Sequence, residues 1–180
     1  MFTRSLLFLS ALLFSTLTPA EGAPNLGVPM SEQALRFWDR SITPDGANLP
    51  PGSGSVADGK RVYDQKCVSC HGPEGAGQTP LVALVGGAGT LTTSRPVKSV
   101  GSYWPYATTL FDYIRRAMPY GEQKSLSDDE VYAVTAYTLF LNGIVEENAI
   151  VSQASLPTIK MPNQSGFFWS LEATQLTDSE

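Results

Sequence analysis

The strongest indication of the fold is the sequence Cys67-Val68-Ser69-Cys70-His71. Two cysteines separated by two residues, with a histidine directly after the second, form the attachment motif of a c-type haem. Each thiol can add to one vinyl group of the porphyrin. His71 then lies where an imidazole nitrogen can reach the iron as the proximal ligand. The motif therefore predicts one haem, covalently attached through Cys67 and Cys70, with His71 bound to its iron.

The rest of the composition limits the other interpretations of this motif. His71 is the only histidine and the chain has two cysteines, so a zinc site would lack a fourth Cys or His ligand. A Cys-His nucleophile pair is disfavoured because adjacent side chains point apart in most backbones. A redox-active Cys-x-x-Cys is the remaining alternative, but it leaves His71 and the glycine-rich run after it unexplained. A single histidine also excludes bis-histidine ligation.

The N-terminus has the pattern of a secretory signal peptide over residues 1–20. Arg4 supplies a positive charge, an apolar run covers residues 6–17, and Ala20 or Ala23 could precede the cleavage point. The apolar run is shorter than the about 20 residues that a membrane-spanning helix needs, and an uncleaved anchor is the alternative. Because bacteria attach this type of haem outside the cytoplasm, the segment predicts a periplasmic protein with no membrane span in its mature form.

The charge balance is acidic. The chain has 12 basic and 17 acidic residues, a net charge of −5. Cleavage after residue 20 removes Arg4 and no acid, which leaves a net charge of −6. This balance argues against nucleic acid or an anionic membrane as the partner. The remaining length of about 160 residues suits a single domain.

Two capped helices are predicted around the motif. Ser55, with Asp58 three residues later, predicts a helix that runs to about Lys66. Gly59 lies inside it, and we expect a close crossing with another helix there, since glycine otherwise costs about 1 kcal/mol against alanine. Tyr137 is the expected contact on the other helix.

The last predicted helix begins at a capping box formed by Ser127 and Glu130. It should run to about Leu141, with Gly143 as its C-terminal stop. Its expected inward-facing stripe comprises Val131, Val134, Tyr137, Thr138 and Leu141. A helix between these two should open at Thr109 and Asp112 and end before Pro119.

The segments on either side of this domain, residues 55–143, are predicted to be extended. Residues 21–54 form an N-terminal arm, with a short helix from Glu32 to Asp39 capped by Ser31. Glycines and prolines preclude regular structure in residues 42–55, while Ile42 and Leu49 suggest an arm that lies on the domain. Residues 144–180 form a C-terminal strap and tail that frays after residue 172, with apolar positions at Leu156, Ile159, Phe167 and Trp169. Arm and tail either dock on a partner or cover the protein's own core.

Residues 95–107 place aromatic and basic side chains close together in the sequence. Tyr103, Trp104 and Tyr106 could line the haem edge, and Arg95 and Lys98 could pair with its propionates. The alternative is that these are ordinary core and surface residues. Two further expectations concern the run after the motif. Pro80 or a nearby carbonyl should accept the ring N–H of His71, and a side chain in place of Gly72 should meet the porphyrin ring.

A methionine is the expected second axial ligand, and a vacant or unusual site is the alternative. Beyond the predicted signal peptide the candidates are Met30, Met118 and Met161. Met118 lies on a proline-terminated turn just before the last helix, which favours it, whereas Met161 lies beyond that helix. A methionine ligand would fill the site that oxygen or peroxide needs and would raise the reduction potential, which favours electron transfer over catalysis at the iron.

The order of helix, CVSCHG, glycine-rich loop, MP and capped last helix resembles the class I cytochrome c family, an all-α fold in which the N- and C-terminal helices cross and loops wrap the haem. That family delivers its methionine ligand at the position of Met118. The segments FWDRSITPDGANLPPGSGSVADGKRVYDQKCVSCHG, VGSYWPYATTLFDYIRRAMP and LSDDEVYAVTAYTLFLNGIV are similar to the cytochrome subunits of bacterial sulfane and sulfite dehydrogenases.

This resemblance implies an electron-transfer subunit or partner, with no catalytic residue of its own. A molybdenum-containing dehydrogenase subunit would oxidise the sulfur compound and donate the electrons. A downstream cytochrome or oxidase would accept them. Two alternatives stay open at this point: a general periplasmic carrier for another dehydrogenase or a terminal oxidase, and a haem enzyme or gas sensor with an open iron position.

Overall fold

The computed structural model describes residues 27–38, 41–79 and 83–168. The chain divides into two compact units, residues 1–39 and residues 40–180. In the first unit, helix α1 spans Glu32–Trp38, and the Ser31 hydroxyl accepts a hydrogen bond from the Ala34 N–H at 3.2 Å. The predicted short helix and its cap are therefore present. The predicted signal peptide with Ala20 and Ala23, Pro80 in the glycine-rich run, and the tail from Trp169 onward lie outside the described residues.

The second unit is mostly helical. Its helices are α2 (Val56–Lys66), α3 (Val68–His71), α4 (Ala107–Ala117) and α5 (Asp128–Leu141). The Ser55 side chain caps α2 by accepting the Asp58 N–H, and the helix ends at Lys66 as predicted. The predicted all-α class is confirmed, with one small two-stranded sheet beside the helices.

The most extensive packing between two elements is that of α2 against α5. At Gly59 the helices approach so closely that an added Cβ would overlap the Ala133 carbonyl and lie 2.8 Å from the Tyr137 Cβ. One turn further along α2, the rings of Tyr63 and Tyr137 make an edge-to-face contact with centroids 5.3 Å apart. The predicted crossing of Gly59 and Tyr137 is confirmed.

Helix α5 forms the centre of the unit. Its capping box is complete, because Ser127 and Glu130 each accept the other's backbone N–H. The helix ends at Leu141, and Gly143 follows with φ of +66°. Val131, Val134, Tyr137 and Thr138 of the expected inward stripe are buried, but so is every other residue from Val131 to Leu139. Leu141, the last residue of the expected stripe, is half-buried. The helix is covered on all sides because the arm and the tail pack on its outer face.

The arm and the tail pair with each other. Strand β1 (Ser53–Ser55) lies antiparallel to β2 (Ile150–Ser152), with Gly54 opposite Val151. The expectation that residues 42–55 lack regular structure is therefore wrong for the last three of them. Sequence pattern could not indicate this sheet, because each strand has three residues and its partner lies almost 100 positions away.

Both segments belong to the protein's own core. Five apolar side chains on them are less than 10% exposed and join the central cluster: Ile42, Leu49, Val151, Leu156 and Met161. The Tyr132 hydroxyl donates to the Pro50 carbonyl at 2.7 Å, and the Gln153 side chain donates to the Leu49 carbonyl at 2.8 Å. These apolar side chains of arm and tail thus pack within the chain. This supports the interpretation that arm and tail cover the protein's own core, rather than the one in which they dock on a partner.

Helix α4 begins at Ala107, two residues earlier than expected. The expectation relied on a polar cap, whereas Tyr106 occupies the N-cap position without a side-chain hydrogen bond. The predicted end is confirmed, since Met118 is the C-cap and a cis peptide bond joins it to Pro119. The helix packs on α5 through Phe111 and Tyr132, whose ring centroids are 4.4 Å apart.

Candidate functional site

A single turn at the end of α2 holds the three residues of the motif. The Cys67 N–H donates to the Tyr63 carbonyl at 2.9 Å, which closes α2. The Cys67 carbonyl then accepts from the Cys70 N–H at 3.1 Å and the His71 N–H at 2.9 Å, which begins α3. Both cysteines are free thiols, with Cys67 half-buried and Cys70 exposed. The backbone therefore fixes two thiols and an imidazole on one rigid turn.

Two hydrogen bonds hold the backbone at His71 and at Gly72, the residue after it. The buried Tyr63 hydroxyl donates to the Gly72 carbonyl at 2.8 Å, and the Gly77 N–H donates to the His71 carbonyl at 2.8 Å. Gly72 has φ of +71°, and a Cβ there would lie 2.5 Å from the Gly77 carbonyl oxygen. Glycine is thus required at this position by backbone crowding and by its positive φ, a reason that the expectation of a clash with the porphyrin did not include.

The protonation of Cys67 bears on the redox-pair alternative. Burial, and secondarily the neighbouring Cys70, raises the pKa of the Cys67 thiol to about 11. Redox-active Cys-x-x-Cys motifs work through a thiolate with a lowered pKa. The raised pKa of Cys67 gives this alternative no support, because that thiol lacks the lowered pKa of an activated cysteine.

The glycine-rich run after the motif is connected to the end of α5 through Leu84. The Leu84 N–H donates to the Gly75 carbonyl at 2.8 Å, and its carbonyl accepts from the Val100 N–H at 3.2 Å and the Asn142 side chain at 3.2 Å. Sequence reasoning missed Asn142. The available signal was its place at the C-cap of α5, where a side-chain amide can donate to carbonyls that the helix leaves unpaired.

The aromatic residues of the 95–107 segment lie in two different environments. Trp104 is half-buried and makes an edge-to-face contact with Tyr113 of α4 at 5.7 Å between centroids. Tyr103 instead contacts Phe167 of the tail at 5.3 Å, and its carbonyl accepts from the Asn163 side chain at 3.0 Å. The structure therefore directs Trp104 towards α4 and Tyr103 towards the tail, so the two do not share one set of contacts.

The basic residues of that segment are exposed. The Lys98 ammonium lies 4.9 Å from the centre of the Tyr103 ring, which is cation–π distance. Arg95 is exposed, and its backbone N–H donates to the Thr93 hydroxyl at 3.3 Å. Pairing of either residue with haem propionates stays a prediction.

The three candidate methionines differ in burial. Met161 is 3% exposed and belongs to the central cluster. Met118 is half-buried at the margin of that cluster, at the C-cap of α4. Met30 lies in the other compact unit and is 50% exposed. Met118 is the one that combines apolar surroundings with an accessible position within the second unit.

The residues present fit a covalently bound haem. The donor set is two thiols and an imidazole on one turn, the set that haem c requires. Around the margin of the core, several apolar side chains remain half-buried, as expected where a large apolar group completes the packing: Val62, Val68, Leu84, Trp104, Met118, Phe140 and Leu141. These features define the class of protein, a haem-carrying helical domain with a Cys-x-x-Cys-His turn.

Comparisons with known proteins agree with this class of protein. The family model for cytochrome c matches residues 56–141. The chain also superposes on the crystal structure of the sulfane dehydrogenase SoxCD from Paracoccus pantotrophus with a TM-score of 0.74 and 39% identity, over 87% of this chain and 78% of that one. The protein belongs to the cytochrome c family, which confirms the predicted fold and the covalently bound haem c.

A second relative is the thiosulfate dehydrogenase of Stutzerimonas stutzeri (strain A1501), 29% identical over 119 residues. The match covers 58% of this chain and 36% of that protein, so the chain corresponds to about a third of its relative's length. The protein is thus a cytochrome c electron carrier related to sulfur-compound dehydrogenases. Within the described residues, no helix has the length and apolar character to cross a membrane.

Proposed function

We propose that the protein receives electrons from a molybdenum-containing dehydrogenase that oxidises sulfite or sulfane sulfur, and passes them to a downstream cytochrome or oxidase. The observation that carries this proposal is the 39% identity to a sulfane dehydrogenase over 87% of the chain. The haem supplies one-electron redox chemistry, and the protein supplies its attachment, orientation and burial.

Cys67 and Cys70 are the proposed attachment residues. Each Sγ–H adds across one vinyl double bond, so that sulfur bonds to one vinyl carbon, the proton goes to the other, and no oxidant is consumed. The protonated state of Cys67 and the exposure of Cys70 are compatible with this addition. The Cys67 carbonyl accepts from the N–H groups of Cys70 and His71, which keeps the two sulfurs and the imidazole of His71 on one turn.

His71 and Met118 are the proposed axial ligands. Half-burial of Met118 at the C-cap of α4 supports this choice, since the side chain is packed but can still reach a haem iron. Met161 is enclosed in the core, where a methionine usually fills space. A thioether on the second axial position raises the reduction potential above that of a bis-imidazole iron and keeps small oxidants from the iron.

The setting of this function is the periplasm. Residues 1–20 are proposed to direct export and to be removed after Ala20 or Ala23, followed by an arm over residues 21–54, the haem domain over residues 55–143 and the strap from residue 144. The acidic net charge of the chain would steer it towards a basic surface on the donor or acceptor and make association dependent on salt.

The test is purification of the protein from its native periplasm, with metal analysis of what accompanies it and addition of sulfite or thiosulfate. The expected result is a molybdenum-containing partner and reduction of the haem by one of these substrates. Partner preparations from cells grown with tungstate in place of molybdate are the control, and they should not reduce it. A partner without molybdenum, with no reduction by sulfur substrates, would overturn the proposal in favour of a carrier for another dehydrogenase.

A further inference from the structure

The loop that joins α4 to α5 carries Met118 at its start. We call residues 118–127 the Met118 loop. An ion pair closes its base, where Arg115 Nε lies 2.8 Å from Asp128 Oδ1. A second ion pair reaches its tip, where Lys66 Nζ lies 2.9 Å from Glu122 Oε2. Lys66 is the last residue of α2 and directly precedes Cys67, so this second pair joins the loop to the haem-attachment turn.

The tip of the loop has little else to hold it. Residues 120–125 are all exposed, and Leu126 is half-buried. The backbone bonds of this stretch are local, from the Glu122 N–H to the Pro119 carbonyl and from the Ser125 N–H to the Glu122 carbonyl. Among the described residues, the Lys66–Glu122 pair is the side-chain interaction that connects residues 120–125 to another element.

We propose that Lys66 and Glu122 are positioning residues for the axial methionine, because their ion pair holds the Met118 loop against the segment that carries Cys67 and His71. The inference rests on the proposed role of Met118 as a ligand. The two ligand-bearing segments are 47 positions apart in the chain, and the pair adds a direct side-chain connection between them.

The size of the effect follows from exposure. The side chains of Lys66 and Glu122 are 42% and 59% exposed, and exposed ion pairs contribute from nothing to about 1 kcal/mol. At about 1.4 kcal/mol per factor of ten, the pair can change the equilibrium between bound and released Met118 by up to about fivefold. Salt should reduce the effect, since exposed charges are screened at high ionic strength.

The experiment is a titration of the ferric holoprotein with imidazole, which competes with Met118 for the iron. The loss of the Met–Fe(III) absorption measures imidazole binding. Because imidazole binds after methionine release, its apparent Kd falls by the factor by which release is favoured. Lys66→Gln and Glu122→Gln should each lower this Kd by about two- to fivefold at low salt. The double variant should do no more than either, and the exchange of both charges, Lys66→Glu with Glu122→Lys, should restore it.

The matched control is Lys60→Gln. Lys60 lies on the same helix and pairs with Asp64 at 2.6 Å, with 58% and 51% exposure, but this pair does not reach the loop. Lys60→Gln should leave the imidazole Kd unchanged while it alters global unfolding as much as Lys66→Gln does. Equal imidazole affinities in wild type, Lys66→Gln and Glu122→Gln would overturn the inference and leave Met118 as a ligand. A wild-type protein without the Met–Fe(III) absorption would overturn the ligand assignment and this inference together.

Discussion

Replacement of Gly59 by alanine tests how the fold places the haem-attachment turn. On helix propensity alone, this change should stabilise α2 by about 1 kcal/mol. At this site, however, the new Cβ would overlap the Ala133 carbonyl and lie 2.5 Å from its carbon and 2.8 Å from the Tyr137 Cβ. Two of these three atoms are helix backbone, which cannot rotate away as a side chain can.

The helices must therefore separate, and the loss exceeds the propensity gain. Overpacking of a close-packed interior costs about 1–3 kcal/mol, and a gap of 0.5–1 Å forfeits about a quarter to a half of each lost contact. We expect Gly59→Ala to lower the free energy of unfolding by about 1 kcal/mol after the propensity gain is subtracted.

The assay is denaturant unfolding of the holoprotein, in which far-ultraviolet circular dichroism and the haem absorption monitor the transition. Ala57→Gly is the matched control, because Ala57 is exposed on the same helix and should lose about 1 kcal/mol through propensity alone. If Gly59→Ala were as stable as wild type or more stable, close approach of α2 and α5 would not be the reason for this glycine.

Two further predictions concern hydrogen bonds of the framework, and a third concerns the ionisation of two buried tyrosines. Tyr63→Phe removes the donor to the Gly72 carbonyl and should cost about 1 kcal/mol, whereas the 88% exposed Tyr120 should tolerate the same change; equal effects would show that the bond is unimportant. Ser127→Ala removes the capping box of α5 and should also cost about 1 kcal/mol, with Ser125→Ala as an exposed control that should cost nothing; a neutral Ser127→Ala would contradict the capping role. Burial raises the pKa of Tyr63 and of Tyr132 from 10.0 to about 12. Their contribution to stability is therefore complete below pH 10 and falls as the pH rises towards 12, because the tyrosines of the unfolded state ionise first. In an alkaline titration of the free energy of unfolding, the Phe variants should show a shallower fall than the wild type. An unchanged slope would refute the link between these tyrosines and alkaline stability.

The parts of the fold that could be predicted are those that local chemistry decides. Ser55 and Ser127 mark helix starts because their hydroxyls cap the first turn, whatever the rest of the chain does. Gly59 indicated a crossing because a glycine inside a helix needs a packing reason. The Cys67–His71 motif indicated the cofactor because covalent chemistry fixes its spacing.

The parts that could not be predicted depend on distant segments. The burial of α5 on all sides follows from the arm and the tail, whose pairing through Gly54 and Val151 has no local signal. The start of α4 at Ala107 lacks a polar cap, so tertiary packing decides it. At the candidate site, adjacency in sequence suggested that Tyr103 and Trp104 act together, yet the tail draws Tyr103 to Phe167 while Trp104 contacts α4.

The proposed role in electron transfer depends on Met118, which would occupy the second axial position of the iron. The most direct measurement is the Met–Fe(III) absorption of the ferric holoprotein in two matched variants, Met118→Leu and Met161→Leu, since leucine conserves volume. We expect Met118→Leu to abolish the absorption and to lower the reduction potential, while Met161→Leu keeps both. Loss of the absorption in Met161→Leu alone, or its absence from the wild-type protein, would contradict the claim.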